Sequence, residues 1–516
     1  MPSTKRPLPD YLEQQASLHR LAEAKQRTAS KQTAQSAALI SDYGSPDGIV
    51  RFVRDILHAD PADYQEEILY NFARHHRAAV RGPHGLGKTA LSSWIILWGI
   101  SGALGDDVKV VTTASAWRQL IFFTWTETRK WAHRAEWSKL SMTLRYGKEL
   151  LETRIKLPGR EAFPVASNKA ALIEGAHAKR IIYVFDEAKA IPADTWDAAE
   201  GAFSTAGGDT DADAYALAIS TPGETGGRFY DIHKRRPGYE DWWVRHVTLE
   251  EAIRAGRISR EWAEQRRKQW GEQSPVYQNR VLGEFAEAGT DVLIPLSWVE
   301  ASNERWHERG GKGDSDTSFG VDVARFGEDN TTIARRVGTV LEQLDYLAQL
   351  DTMQTTGEVV TRVGTSNKTT PLLVDVIGIG AGVVDRLREQ GFAVTGVNVS
   401  EAARDQFNNE FTDASGELTF VNLRSYLWWM MRDLLDPNNP DAIALLPDDR
   451  LTGDLTAPKW KTTSNGRIQV ESKDDIRKRI GRSTDAADAV VLAFAPAALL
   501  PPPIIPPVRI QKARSW

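Results

Sequence analysis

Eight residues constrain this chain more than any others: Gly82–Thr89 read GPHGLGKT. The spacing fits G-x-x-x-x-G-K-[ST], a loop whose glycines let successive backbone N–H groups curl round a phosphate. Such a loop joins a strand to a helix, and the helix N-terminus adds its dipole to the anion site. The flanks supply both partners. AAVR before the loop reads as a buried strand, and TALSSWIILW after it reads as an apolar helix. The chain is thereby committed to a strand–loop–helix unit in an α/β sheet.

The neighbouring sequence agrees. Short apolar runs recur at Ala78–Val80, Val108–Thr112, Ile181–Phe185 and Ala216–Ile219, with helical stretches between them. Runs that are continuous rather than alternating suit strands buried on both faces, hence a mainly parallel sheet. A chain of 516 residues has room for two or three such cores. Residues 1–45 are polar and read as a partly helical, mobile arm, and 46–304 as a P-loop domain. Residues 305–318, RWHERGGKGDSDTS, read as a linker, 319–498 as a second α/β domain and 499–516 as a Pro-rich extended tail. No apolar run approaches the ~18 residues of a membrane span, so no membrane partner is expected. The absence of cysteine excludes disulfides and thiolate-bound zinc, leaving carboxylates and a few histidines as metal ligands. A net charge of −5 means that any DNA contact comes from local basic patches or is transient.

Within the loop, Gly82, Gly85 and Gly87 shape the backbone. Lys88 is expected to reach the β- and γ-phosphates of ATP, and Thr89 to hold Mg²⁺. Residues 181–187, IIYVFDE, form an apolar strand ending in two acids. There Asp186 is placed to hold the Mg²⁺ through water and Glu187 to polarise the attacking water. Two further segments each have two readings. Ser220 and Thr221 in ISTP either sense the γ-phosphate or simply end a strand. Gln65, after Tyr64, either reads adenine or is a polar residue at a helix start.

A second acidic set follows. Residues 319–330, FGVDVARFGEDN, put Asp322 inside an apolar strand with Asp329 across the next turn. PLLVDVI repeats the arrangement at Asp375, and STDAADAVVLAF places Asp485 and Asp488 three apart on one helix face. A carboxylate in an apolar strand is costly unless it is paired or binds a cation. Converging carboxylates make a two-metal site whose hard oxygen donors favour Mg²⁺ or Mn²⁺. Because AVVLAF after Asp488 must pack inward, Asp488 is expected to be the deeper of the pair and Asp485 the wetter.

Taken in order, the phosphate loop, VFDEA, ISTPGETGGRFY, YQNRVLGEFAEAG, GVDVARFGED, VDVIGIGAGVVDRL and ESKDDIRKRIGRSTDAADAVVLAF resemble the successive motifs of the large terminase subunits of tailed bacteriophages. The likeness runs from about Asp60 to Phe494. It implies an N-terminal packaging ATPase and a C-terminal nuclease domain of RNase H or resolvase type. Lys88, Thr89, Asp186 and Glu187 would serve ATP hydrolysis, and Ser220–Pro222 would couple it to motion. Asp322, Asp375 and Asp488 match the three metal-binding acids, with Asp485 where relatives carry Asp or His. Lys473 would contact the scissile phosphate. The partners implied are double-stranded DNA, the portal protein of a procapsid, the small terminase subunit and further copies in a ring. The place implied is the host cytoplasm, with transient residence at the portal and none in the mature virion. One departure stands out: IEGAH at 173–177 holds no arginine where some relatives carry a finger, which leaves Arg81, Arg160 and Arg180 as candidates. A helicase–nuclease fusion for repair or defence would share both sites, while a catalytically dead scaffold would not keep Lys88, Glu187 and all three nuclease acids.

Overall fold

A computed structural model describes residues 18–20, 34–167, 169–204, 212–286, 291–324, 330–348, 350–405 and 407–500. The Pro-rich segment 501–516, Asp329 and most of the expected arm lie outside these residues. The chain forms two compact units. The first holds the chain up to Arg260 together with Asn279–Phe285; the second holds Glu261–Gln278 and everything from Ala286 onward.

The first unit is built on a seven-stranded sheet. Its strands are β1 (Arg77–Arg81), β2 (Val108–Ala114), β3 (Ile155–Leu157), β4 (Arg160–Pro164), β5 (Arg180–Asp186), β6 (Asp213–Ser220) and β7 (Trp243–His246), in the order β3-β4-β2-β5-β6-β1-β7. All neighbours pair parallel except the edge strand β3, which is antiparallel to β4. The four apolar runs of the sequence are β1, β2, β5 and β6, each buried through its centre. Helix α1 (Asp63–His75) leads into β1, and helix α2 (Lys88–Ile100) leaves the phosphate loop. Every residue of α2 from Leu91 to Ile100 is buried, which is the behaviour of a helix apolar all round.

Three expectations need correction here. Residues 34–43 are helical, in keeping with a partly helical arm, but they are anchored rather than mobile, with Ser36 and Tyr43 buried. The Ser36 hydroxyl donates to the Lys139 carbonyl, and Trp98 donates its indole N–H to the Tyr43 carbonyl. Nor is 305–318 simply a linker. Arg305–Glu308 closes the helix Leu296–Glu308, and Arg305 donates to the Ile443 carbonyl inside the second unit. Glu261–Gln278, expected in the P-loop domain, also packs in the second unit. There Trp270 is buried against Gly453, and Gly271 lies against Ile480.

The second unit carries a mixed five-stranded sheet of β8 (Thr317–Asp322), β9 (Asn330–Val337), β10 (Val340–Ala348), β11 (Leu372–Asp375) and β12 (Val394–Val397), in the order β10-β9-β8-β11-β12. β8, β11 and β12 run parallel, and β9 pairs antiparallel with both β8 and β10. Three helices complete the site: α3 (Leu423–Leu435), α4 (Lys473–Ile480) and α5 (Asp485–Ala493). α5 lies directly on β8, and Gly320 is what lets it. A Cβ at Gly320 would stand 2.1 Å from the Ala489 carbonyl oxygen and 2.3 Å from the Ala493 nitrogen, both backbone atoms. The missing side chain therefore sets how near α5, with its two acids, comes to Asp322 at the end of β8. Among the described residues no helix is long and apolar enough to cross a membrane.

Candidate functional sites

In the first unit the phosphate loop leaves β1 and enters α2. Gly85 and Gly87 have φ of +87° and +82°, left-handed values that only glycine takes without strain. They turn the loop so that Lys88 and half-buried Thr89 open the helix. The Lys88 ammonium rests 3.4 Å from the Pro83 carbonyl, inside the loop. Enclosure lowers its pKa, against the pull of Glu187 and Asp186.

Those acids end β5, two strands from β1. Asp186 is buried and accepts from the Thr124 hydroxyl at 2.5 Å. Burial, with Glu187 beside it, pushes its carboxyl up to about 6, although Thr124 and Lys88 pull the other way. Glu187 sits in the left-handed region at φ 47°, an uncommon conformation for a residue with a side chain. Its carboxylate accepts from Ser220 at 2.8 Å and Thr221 at 3.5 Å. ISTP thus does more than end a strand: its hydroxyls hold the acid that faces the loop. Thr124 was not legible as a site residue. It ends the π-helical turn Leu120–Thr124, an irregularity that often marks a functional position.

Gln65 is wholly buried behind the loop rather than open to a base. Its amide nitrogen donates to the Leu86 carbonyl, and its oxygen accepts from the Ala62 N–H and from Arg257. The arginine candidates also resolve. Arg160 and Arg180 open β4 and β5, level with Val108 in the register. Seven residues at ~3.3 Å each put Arg180 roughly 20 Å from Asp186. Arg180 pairs with Asp213, and Arg160 donates to the last carbonyl of α2, that of Ile100. Arg81 ends β1 beside the loop but is tied to Glu284 at 2.6 Å.

In the second unit, Asp322 and Asp375 end the adjacent strands β8 and β11, and Asp485 and Asp488 open α5. All four are buried. Lys473, the first residue of α4, draws three of them together. Its ammonium lies 2.8 Å from Asp322, 3.2 Å from Asp485 and 3.4 Å from Asp488. Asp375 accepts from the Ile377 N–H at 2.9 Å, and burial raises its pKa. Asp488 is the most fully held. One oxygen accepts from Arg424 at 2.7 Å and the Trp428 indole at 3.1 Å, and the other from Thr484 at 2.9 Å. Burial alone would raise its pKa; Arg424 and Lys473 outweigh burial and hold it low. Asp322 goes the other way, pushed up by burial and by the neighbouring Asp488 and Asp485 despite Lys473.

The expected depth order of the last helix is reversed. Asp485 is 2% exposed and Asp488 7%. Asp485 is the first residue of α5, yet Lys473 and, at 3.7 Å, Arg450 close over it from other elements. Arg424, Trp428 and Arg450 were missed by sequence reasoning. For Arg424 there was a signal: a charge spaced i, i+3, i+4 from Leu427 and Trp428, on a face that must be buried.

The donor set suits a hard divalent cation: four carboxylates surround two internal cations, Lys473 and Arg424, and the buried Asp485 Oδ2 has no hydrogen-bond partner. Among the described residues no three acidic or histidine side chains are grouped so as to hold an ion directly. It is the Lys473 ammonium that now stands between them.

No protein-family model and no curated protein sequence matches the chain. Solved structures do. The nuclease domain of the large terminase subunit gp2 of bacterial virus Sf6 aligns with 20% identity and a TM-score of 0.35, over 40% of this chain and 99% of that one. The large terminase of a thermophilic bacteriophage aligns with 12% identity and a TM-score of 0.39, over 84% of this chain and 98% of that one. The same thermophilic protein in complex with ATP-gamma-S gives 12% and 0.37, over 84% and 99%. At such TM-scores these likenesses decide nothing about chemistry.

Proposed function

We propose that this chain is a terminase large subunit: an ATP hydrolase that drives double-stranded viral DNA into a procapsid and a metal-dependent endonuclease that cuts it. The observation that carries this reading is the pairing, in one chain, of a phosphate loop facing Glu187 with a buried four-carboxylate site on a second sheet. In the first unit Lys88 and the loop N–H groups would bind the nucleotide phosphates, Thr89 and Asp186 would hold Mg²⁺, and Glu187 would orient the attacking water. Ser220 and Thr221 hold the Glu187 carboxylate, so a change at the γ-phosphate is felt directly at the end of β6.

In the second unit Asp322, Asp375, Asp485 and Asp488 would hold Mg²⁺ or Mn²⁺, which supplies an activated water and stabilises the leaving oxygen. Lys473, which pairs with three of these carboxylates, would be available to a phosphate once they are otherwise engaged. The partners that follow are DNA, the portal of the procapsid, the small subunit and further copies in a ring, in the host cytoplasm.

The test is two variants read on two assays. Lys88→Ala should abolish phosphate release and leave plasmid cutting intact. Asp322→Ala should lower cutting by roughly 10³-fold or more, several kcal/mol of charge stabilisation, and leave ATP hydrolysis intact. Unchanged ATP hydrolysis in Lys88→Ala would sink the phosphate-loop assignment. ATP-driven unwinding of a forked duplex, with no DNA uptake by procapsids, would favour the helicase–nuclease alternative.

A further inference from the structure

Beside the acidic site the second unit opens a cavity of about 360 Å³, whose walls include Lys268, Arg450, Arg477, Arg482 and Ser483. One carboxylate reaches it, that of Asp485, so four cationic side chains face a single acid. Two of the four are fixed. Arg450 stacks over the Tyr346 ring at 4.8 Å and reaches Asp485, and Arg482 is paired with the fully buried Asp454. Two further nitrogens of Arg482, Nε and Nη2, are buried and have no hydrogen-bond partner. Lys268 and Arg477 stand exposed at the rim. Four separate elements supply these residues: the helix Arg260–Trp270 gives Lys268, the helix Asp449–Leu455 gives Arg450, α4 gives Arg477, and the turn from α4 to α5 gives Arg482 and Ser483.

This is the inverse of the neighbouring site. The acids attract cations; a few residues away, guanidinium and ammonium groups converge, and Arg482 is left with N–H groups that nothing in the fold accepts from. A buried guanidinium with unsatisfied N–H groups is an unmet demand for an acceptor, and a phosphate oxygen meets it in the fork geometry that arginine favours. Asp485 lines the pocket and is also gripped by Lys473, so pocket and cutting site share a wall.

We propose that this cavity seats a backbone phosphate of the DNA strand next to the phosphate that is cut. It would fix the strand's register on the acids while carrying no sequence preference, as phosphate contacts do. The inference rests on the nuclease reading above and adds a subsite that includes a helix preceding the nuclease motifs by some fifty residues.

The test uses the full-length chain with Lys268→Ala, Arg477→Ala and the double variant, and Lys312→Ala as an exposed cation outside the cavity. Binding of a short fluorescent duplex is measured in Ca²⁺ over a range of NaCl, and cutting kinetics in Mn²⁺. The double variant should reduce the slope of log affinity against log salt by about 0.9, the signature of one lost phosphate contact, and each single variant by part of that. The drop in kcat/KM should be carried by KM, about 3–10-fold per residue and larger in the double variant, with Lys268→Arg restoring most of it. Lys312→Ala should match wild type. Unchanged slopes and KM in a wild type that cuts would overturn the phosphate seat and leave the nuclease reading standing. A wild type that fails to cut with every divalent metal tried would overturn the nuclease reading, while the slopes would still judge the seat. Circular dichroism confirms that each variant is folded.

Discussion

In both units acids stand at the carboxyl ends of parallel strands, Asp186 and Glu187 after β5, Asp322 and Asp375 on β8 and β11, yet different partners hold them. In the first unit the partners are neutral hydroxyls: Thr124 on Asp186, Ser220 and Thr221 on Glu187. In the second they are cations: Lys473 on three acids, Arg424 on Asp488. On the proposed function, the difference follows from what each site would receive. A site for a polyphosphate keeps its lysine free of tight carboxylate contact, so that the ammonium and the loop N–H groups meet the anion unopposed. A site for divalent cations concentrates carboxylates beyond what the fold can tolerate alone, and needs stand-in positive charge until the ions arrive.

The sharpest way to break this contrast is at Asp485. If the carboxylate surplus is the function, the deeper acid should matter as much as Asp488. Asp485→Ala and Asp488→Ala should each lower cutting by roughly 10³-fold, with ATP hydrolysis intact. Cleavage time courses in Mg²⁺ and Mn²⁺ decide it. A vigorous Asp485→Ala enzyme would return that acid to a structural role.

Stability offers a second comparison. Arg424→Met leaves Asp488 buried without its closest charge partner and should cost about 3–5 kcal/mol, at the lower end if Trp428 and Thr484 compensate. Thr124→Val removes only a neutral donor from Asp186 and should cost about 1–2 kcal/mol. Denaturant unfolding of both variants measures the gap, and equal costs would erase the distinction between hydroxyl-held and cation-held acids.

The smallest expected effect concerns pH. The Asp186 pKa is about 6 in the folded state, above its ordinary 3.8. The folded protein therefore binds the extra proton between those values, and stability falls as pH rises from about 4 to about 6. Above 6 the penalty is on the order of 3 kcal/mol at most. Asp186→Asn should escape it, melting higher than wild type at pH 7–8 and converging with it near pH 4. A gap that widens toward acid pH would reverse the assigned sign.

Much of this was legible in the sequence because it was local. The phosphate loop, IIYVFDE and the paired strand acids state their chemistry within a dozen residues, and β1, β2, β5 and β6 lie where the apolar runs put them. What was not legible depends on neighbours distant in the chain. Asp485 was misjudged because the residues that cover it, Lys473 and Arg450, come from other elements. Of the two readings of Gln65 the helix-start one matches its place as the third residue of α1, and what else holds it, Arg257, lies almost two hundred residues on. The segment 305–318 looked like a linker by its glycines, although its first residues finish a helix whose Arg305 is anchored on the distant Ile443 carbonyl.

Lys473 has a consequence for how such a protein comes to exist. Metal sites made of thiolates or bare carboxylates often leave their domain unfolded until the ion binds, so that assembly waits on metal supply. Here the chain carries its own counter-charge: an ammonium and a guanidinium already sit among the acids. The core can close during synthesis in a compartment with whatever magnesium it has. A chelator should therefore leave the second unit folded, and on the proposed function it would stop cutting without lowering the melting temperature.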